Sequence, residues 1–138
     1  MLLFLVRHAH AEKGDPDELR PLSERGQREA RALATQLAGH DTPPATVLTS
    51  PLLRARQTAD HIAQSTGVEL QVDERLAPGM TPEHLRKALA GAEEPVAVVG
   101  HQPDCSEVAY ELTGRDPGFP TGGVAEIELD DGWGQAPA

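Results

Sequence analysis

Leu2-Leu3-Phe4-Leu5-Val6 is an unbroken apolar run that stops at Arg7-His8, and Pro95-Val96-Ala97-Val98-Val99-Gly100 is a second such run that stops at His101. Apolar runs of this length without alternation read as strands buried on both faces, the pattern found in the middle of a parallel sheet. Between them the period becomes helical. Ala30, Leu33, Ala34, Leu37 and Ala38 share one helical face between Ser23, an N-cap residue, and Gly39, a stop. Thr46-Val47-Leu48-Thr49 is a short β-branched strand. Ser50-Pro51 then caps and opens a second helix, with proline at its first position. Its apolar face is Ala55, Ala59, Ile62 and Ala63, and Gly67 closes it. Val68 to Val72 alternates, as a half-buried strand near an edge does. Thr81-Pro82 opens a third helix carrying Leu85, Ala88 and Leu89, and Gly91 ends it. Pro103 starts a fourth helix carrying Cys105, Val108, Ala109 and Leu112, and Gly114 ends it. A last alternating strand runs from Val124 to Leu129, in a direction the pattern leaves open. Asp131-Gly132 begins a turn, and residues 133–138 are expected to fray. The order β-α-β-α-β-α-β-α-β predicts an α/β sandwich around a largely parallel sheet of about five strands, with the two all-apolar strands in its middle.

Composition narrows the function classes. The chain has 138 residues, the size of one domain, so residues 1–138 are read as a single unit. Twelve basic against 22 acidic residues give a net charge of −10, which opposes binding to a polyphosphate backbone. Aromatic residues make up 3%, too few for a base-stacking platform, so no nucleic-acid partner is expected. The longest apolar run, Met1 to Val6, is far shorter than the ~20 residues of a membrane span. With no basic residue ahead of it, a signal peptide is not expected, and the chain reads as cytoplasmic. The single cysteine, Cys105, permits neither an internal disulfide nor a cysteine pair for structural zinc.

In open α/β sheets ligands sit beyond the carboxyl ends of the strands. Three ends here are unusually polar: Arg7-His8-Ala9-His10, then Ser50-Pro51-Leu52-Leu53-Arg54, then Gly100-His101-Gln102-Pro103. Arg54 falls in the first turn of the second helix, and His101 lies beside a helix N-terminus, where backbone N–H groups and the dipole favour an anion. If these strands are neighbours, two histidines and two arginines converge. Arginine forks match phosphate oxygens in paired hydrogen bonds. A histidine nitrogen can attack phosphorus and carry the phosphoryl group, while a second histidine offsets charge on its oxygens. The set therefore points to phosphoryl transfer through a phosphohistidine. A metal pair of His8 and His10 with His101 lacks the carboxylates or thiolates to complete a cage, so no metal is expected. His10 reads as a rim residue, and His40, His61 and His84 as solvated. Arg25, Arg28 and Arg31 form a helix face paired with Glu24 and Glu29.

Arg7-His8, Ser50-Pro51-Leu52-Leu53-Arg54 and Gly100-His101, in that order, resemble the signature of the histidine phosphatase, or phosphoglycerate mutase-like, superfamily. The short chain, with Arg20-Pro21-Leu22-Ser23, Ser50 to Thr58 and Pro120-Thr121-Gly122, is most similar to the SixA-type phosphohistidine phosphatase branch. The resemblance implies a three-layer α/β/α sandwich and no cofactor. It makes His8 the nucleophile, with Arg7, Arg54 and His101 around the phosphoryl group and Arg20 lining the substrate site. The implied partner is a phosphorylated protein, such as a phosphohistidine phosphotransfer domain, or a small phosphorylated metabolite. Two positions depart from the pattern. Ala9 stands where most of the superfamily has glycine. The segment Asp73 to Gly79 is brief, and neither Asp73 nor Glu74 sits at the position of the glutamate acid that many members carry. That leaves Glu74, Asp73, Glu12 or an ordered water to donate the proton. A missing strong acid disfavours alkyl phosphates and is tolerable for a phosphoimidazole. The competing readings are a small-molecule phosphatase or mutase of the same mechanism, a non-catalytic phosphate-binding module, and a metal hydrolase.

Overall fold

The two apolar runs lie side by side. In a computed structural model that describes residues 1–130 and 133, β1 (Leu2–Arg7) pairs in parallel with β4 (Val96–Gly100), from Leu3 opposite Val96 to Arg7 opposite Gly100. On the far side of β4 lies β2 (Thr46–Thr49), also parallel, and beyond it β3 (Leu70–Val72) forms one edge. The sheet order is β3-β2-β4-β1-β5. The last strand, β5 (Val124–Glu128), runs antiparallel to β1, which settles the direction that its alternation left open.

Alternation along each strand sorts the core into two layers. Leu3, Leu5, Val96 and Val98 pack with Leu85 and Leu89 of α3 (Pro82–Leu89) and with Cys105, Val108 and Ala109 of α4 (Asp104–Thr113). Their neighbours Phe4, Val6, Ala97 and Val99 pack on the other face with Leu33 and Leu37 of α1 (Glu24–Ala38) and Ala55, Ala59 and Ile62 of α2 (Leu53–Thr66). The result is the three-layer α/β/α arrangement. Each large side chain fully buried this way is worth about 1.5–3 kcal/mol of transfer free energy. The thiol of Cys105 is part of this core, 3.6 Å from the Val6 carbonyl, and burial pushes its pKa up to about 12.

The predicted helix ends hold in most places. Ser23 Oγ accepts the Gly26 N–H at the start of α1, and Gly67 and Gly114 close α2 and α4 in the left-handed conformation. The second helix is the exception. It begins at Leu53, with Leu52 as its N-cap, and Pro51 stands outside it. Ser50 does not cap the helix because its hydroxyl is engaged with Leu52 N–H and His101. Residues 17–19 and 74–76 form short 3-10 turns, which carry no periodicity to betray them.

Two histidines expected in solvent are instead packed. The His40 ring meets Phe4 edge-on at 5.0 Å and its Nε2 lies 3.0 Å from Glu126, while His61 Nε2 lies 2.7 Å from Gln27. His84 is exposed and joins Thr81 in a capping box. Trp133, placed by its position in a fraying tail, packs against the α3–α4 side of the core with the Arg86 guanidinium 5.3 Å from its ring. The expected turn at Asp131-Gly132 and the rest of the tail lie outside the described residues.

One close approach ties the sheet to α1. A Cβ at Gly26 would lie 1.9 Å from the His10 carbonyl oxygen. Glycine to alanine inside a helix ordinarily gains about 1 kcal/mol. Here the clash with backbone dominates: Gly26→Ala should lose about 1–3 kcal/mol in urea denaturation, the range of an overpacked core.

Candidate active site

Parallel pairing puts the ends of β1, β4 and β2 level with one another. The ladders continue one rung beyond the strands, with His8 N–H donating to Gly100 O and Ser50 N–H to Val99 O, each at 3.0 Å. His8 and His101 therefore face each other with ring centroids 5.2 Å apart. His8 is held by its own chain. Its Nδ1 lies 2.7 Å from the Ala9 carbonyl, which can only accept, so Nδ1 carries the proton and Nε2 keeps a free lone pair. Ala9 fits where glycine was expected: its methyl is buried with Leu22 and Ala30, and its N–H donates to Thr58 Oγ1 at 3.0 Å.

The arginines predicted for the site gather around this pair. Arg7, the last residue of β1, donates to Phe119 O at 2.8 Å, and its buried Nε has no partner among the described residues. Arg54 lies in the first turn of α2 and is itself buried. Its two terminal nitrogens reach the carbonyl and the carboxylate of Asp17 at 2.9 and 3.1 Å. Arg20 donates to the other carboxylate oxygen at 3.0 Å and to Glu12 O at 2.7 Å. Asp17 thus bridges Arg20 and Arg54. It was absent from the sequence reading, and only its i, i+3 spacing to Arg20 could have suggested it. Ser50 and Thr58 were also missed as individual site residues. Thr58 donates to Arg54 O at 2.8 Å while accepting from Ala9, and so fastens the His8 segment to α2. His10 sits at the rim, its Nδ1 2.7 Å from Ser23 Oγ. Arg25 pairs with Glu29 at 3.1 Å, and Glu29 also accepts the His10 N–H at 2.8 Å.

Burial and the arginines fix the charge states. The His8 pKa falls to about 4, chiefly through burial, with Arg54, Arg7 and Arg20 adding to the fall. That of His101 falls to about 3, again through burial first, then through His8 and Arg54. Both are neutral near pH 7. Hydrogen bonds from Arg20 and Arg54 hold the Asp17 carboxyl below its ordinary range. The same is true of Asp73, whose carboxylate takes two bonds from Arg75, at 2.9 and 2.8 Å. Asp73 is therefore ionised and is a poor proton donor. Among the described residues, no cluster of three His, Cys, Asp or Glu side chains is arranged to hold a metal ion.

Neutral histidines ringed by arginine forks at the strand ends are an arrangement for phosphate, and comparison with known proteins agrees. Residues 3–78 match the family model of the histidine phosphatase superfamily, branch 1. The chain belongs to that superfamily. It is accordingly a phosphoryl hydrolase of a metal-independent family. Over 140 residues it is 29% identical to the phosphohistidine phosphatase SixA of Escherichia coli, covering 95% of this chain and 87% of that one. An uncharacterized protein of Picosynechococcus is 34% identical over 90% of this chain and 82% of its own. Among solved structures, SixA complexed with tungstate superposes with a TM-score of 0.86, at 29% identity, over 96% of this chain and 91% of that one. This superfamily member has no helix among its described residues long and apolar enough to cross a membrane.

Two outcomes follow from the charge states. A histidine whose folded pKa is depressed leaves the unfolded chain binding more protons between the two values. Stability should therefore fall as pH drops from 6.5 toward 4, and a His8→Asn/His101→Asn variant should show a shallower fall in its urea midpoint over that window. In a carbon-detected NMR titration, the Asp17 carboxyl should titrate below 3.8 and move upward in Arg20→Ala.

Proposed function

We propose that the chain is a SixA-type phosphohistidine phosphatase, a single cytoplasmic catalytic domain that removes phosphoryl groups from histidine in a partner protein. The observation that carries this reading is the His8 ring, neutral and locked through Nδ1 with Nε2 unprotonated. In this reading Nε2 forms a bond to phosphorus as the bond from phosphorus to the substrate nitrogen breaks. Arg7, Arg54 and Arg20 bind the phosphoryl oxygens, and His101 supplies a further contact as charge shifts in the transition state. Water then attacks the phosphorus of phospho-His8 and gives up its proton to solvent. Inorganic phosphate leaves, and His8 is restored.

The choice of substrate rests on the proton. A phosphorylated imidazole has a second ring nitrogen that titrates in the ordinary histidine range, so it can be protonated by solvent and leave as neutral imidazole. An alkoxide leaving group needs a strong acid beside it. Of the carboxylates, Asp73 and Asp17 are held ionised by arginines, while Glu74 and Glu12 are exposed to solvent. The relatives support the same choice, since the E. coli protein carries the name phosphohistidine phosphatase. Only residues 73–81 separate β3 from α3, a segment short enough to leave room for a protein substrate.

Hydrolysis of a phosphohistidine protein and of an alkyl phosphate, both with EDTA present, tests this directly. Wild type should release phosphate from phosphohistidine and act slowly on the alkyl ester, and His8→Ala should lose activity about 10³-fold or more. The rate constant kcat/KM should fall as pH drops through about 4, where His8 gains a proton at Nε2. Preference for the alkyl ester would make the chain a small-molecule phosphatase, and undiminished activity in His8→Ala would remove His8 as the nucleophile.

A further inference from the structure

Ser50 follows the last residue of β2 and is fully buried. Its hydroxyl has two partners. Oγ accepts the Leu52 N–H at 3.2 Å and lies 2.7 Å from Nε2 of His101. The Leu52 amide can only donate, so the serine proton has a single acceptor among these contacts, His101 Nε2. Were Nε2 protonated, the serine would face two donors and its own buried proton would find no acceptor, which a buried hydroxyl does not tolerate without cost. His101 is neutral near pH 7 and carries one ring proton, which this network places on Nδ1. Nδ1 is buried and has no hydrogen-bond partner among the described residues. Because β2 and β1 flank β4 on opposite sides, the ring reaches Ser50 through Nε2 on one side and lies beside His8 on the other.

We infer that Ser50 is a positioning residue whose hydroxyl fixes His101 as the Nδ1–H tautomer, so that His101 meets the phosphoryl group as a neutral hydrogen-bond donor and not as a cation. The use made of that donor rests on the phosphatase reading above; the tautomer itself is a property of the resting protein. In this arrangement the positive charge of the site comes from its arginines alone. Nδ1–H, with no protein partner among the described residues, is the ring donor that remains for a phosphoryl oxygen.

Long-range proton–nitrogen correlation spectra of the 15N-labelled protein at pH 7 test the assignment. Wild type should show a protonated Nδ1 and an unprotonated Nε2 at His101. In Ser50→Ala the ring should turn toward the Nε2–H form with the rest of the spectrum retained, and kcat/KM on the phosphohistidine protein should fall about ten- to hundredfold. Ser50→Thr, which keeps the hydroxyl, should recover the wild-type tautomer and most of the rate. A protonated Nε2 in wild type overturns the inference without reference to any variant. So does an Nδ1–H tautomer that persists in Ser50→Ala. A wild type with the stated tautomer that hydrolyses neither phosphohistidine nor alkyl phosphate would support this assignment and sink the functional reading instead.

Discussion

The register between β4 and its two neighbours governs the rest of the structure. Arg7 opposite Gly100 and Thr49 opposite Val99 bring three chain turns to the same height, and the backbone bonds from His8 and Ser50 carry the ladders one residue further. A slip of one residue would invert every side chain on a strand between the two layers. Here that would drive Phe4 and Val6 into the space of Leu3 and Leu5, so the packing of two different cores enforces the register. The spacing of the histidines at 5.2 Å is thus paid for by apolar contacts well away from them.

On that frame the site places unlike electrostatic demands side by side. Neutral imidazoles need a dry setting and arginines need counter-charge, and the chain satisfies both by giving the arginines their own anion. Asp17 holds Arg20 and Arg54 from the loop side, while the imidazoles sit below on the strand ends. The whole chain carries a charge of −10, so this island of positive charge concentrates small anions at one place on an otherwise repelling surface.

What could be read in advance and what could not divide along a physical line. The strands and helices announce themselves through periodicity, because burying a face requires a regular spacing of apolar residues, and the strand ends follow at once. Arg7, His8, Arg54 and His101 could therefore be placed there from the sequence, and the structure does bring them to those strand ends. Ser50 was read as a helix cap, since a serine before a proline has that local meaning; its true partner is 51 residues away in the chain, across a strand pair. Asp17 lies in a three-residue turn with no pattern of its own. His40 and His61 look like surface residues locally, and their partners, Phe4 and Gln27, come from other elements. Local periodicity carries no information about side-chain bonds between distant segments.

The sealing of Cys105 has a consequence for regulation. A thiolate is the form that peroxides and disulfides attack. This thiol, with a pKa of about 12 and no exposed surface, stays protonated and out of reach at any physiological pH. Phosphatases that use a cysteine nucleophile can be silenced by oxidants; the one sulfhydryl of this chain, walled between α4 and the sheet, offers oxidants no such target.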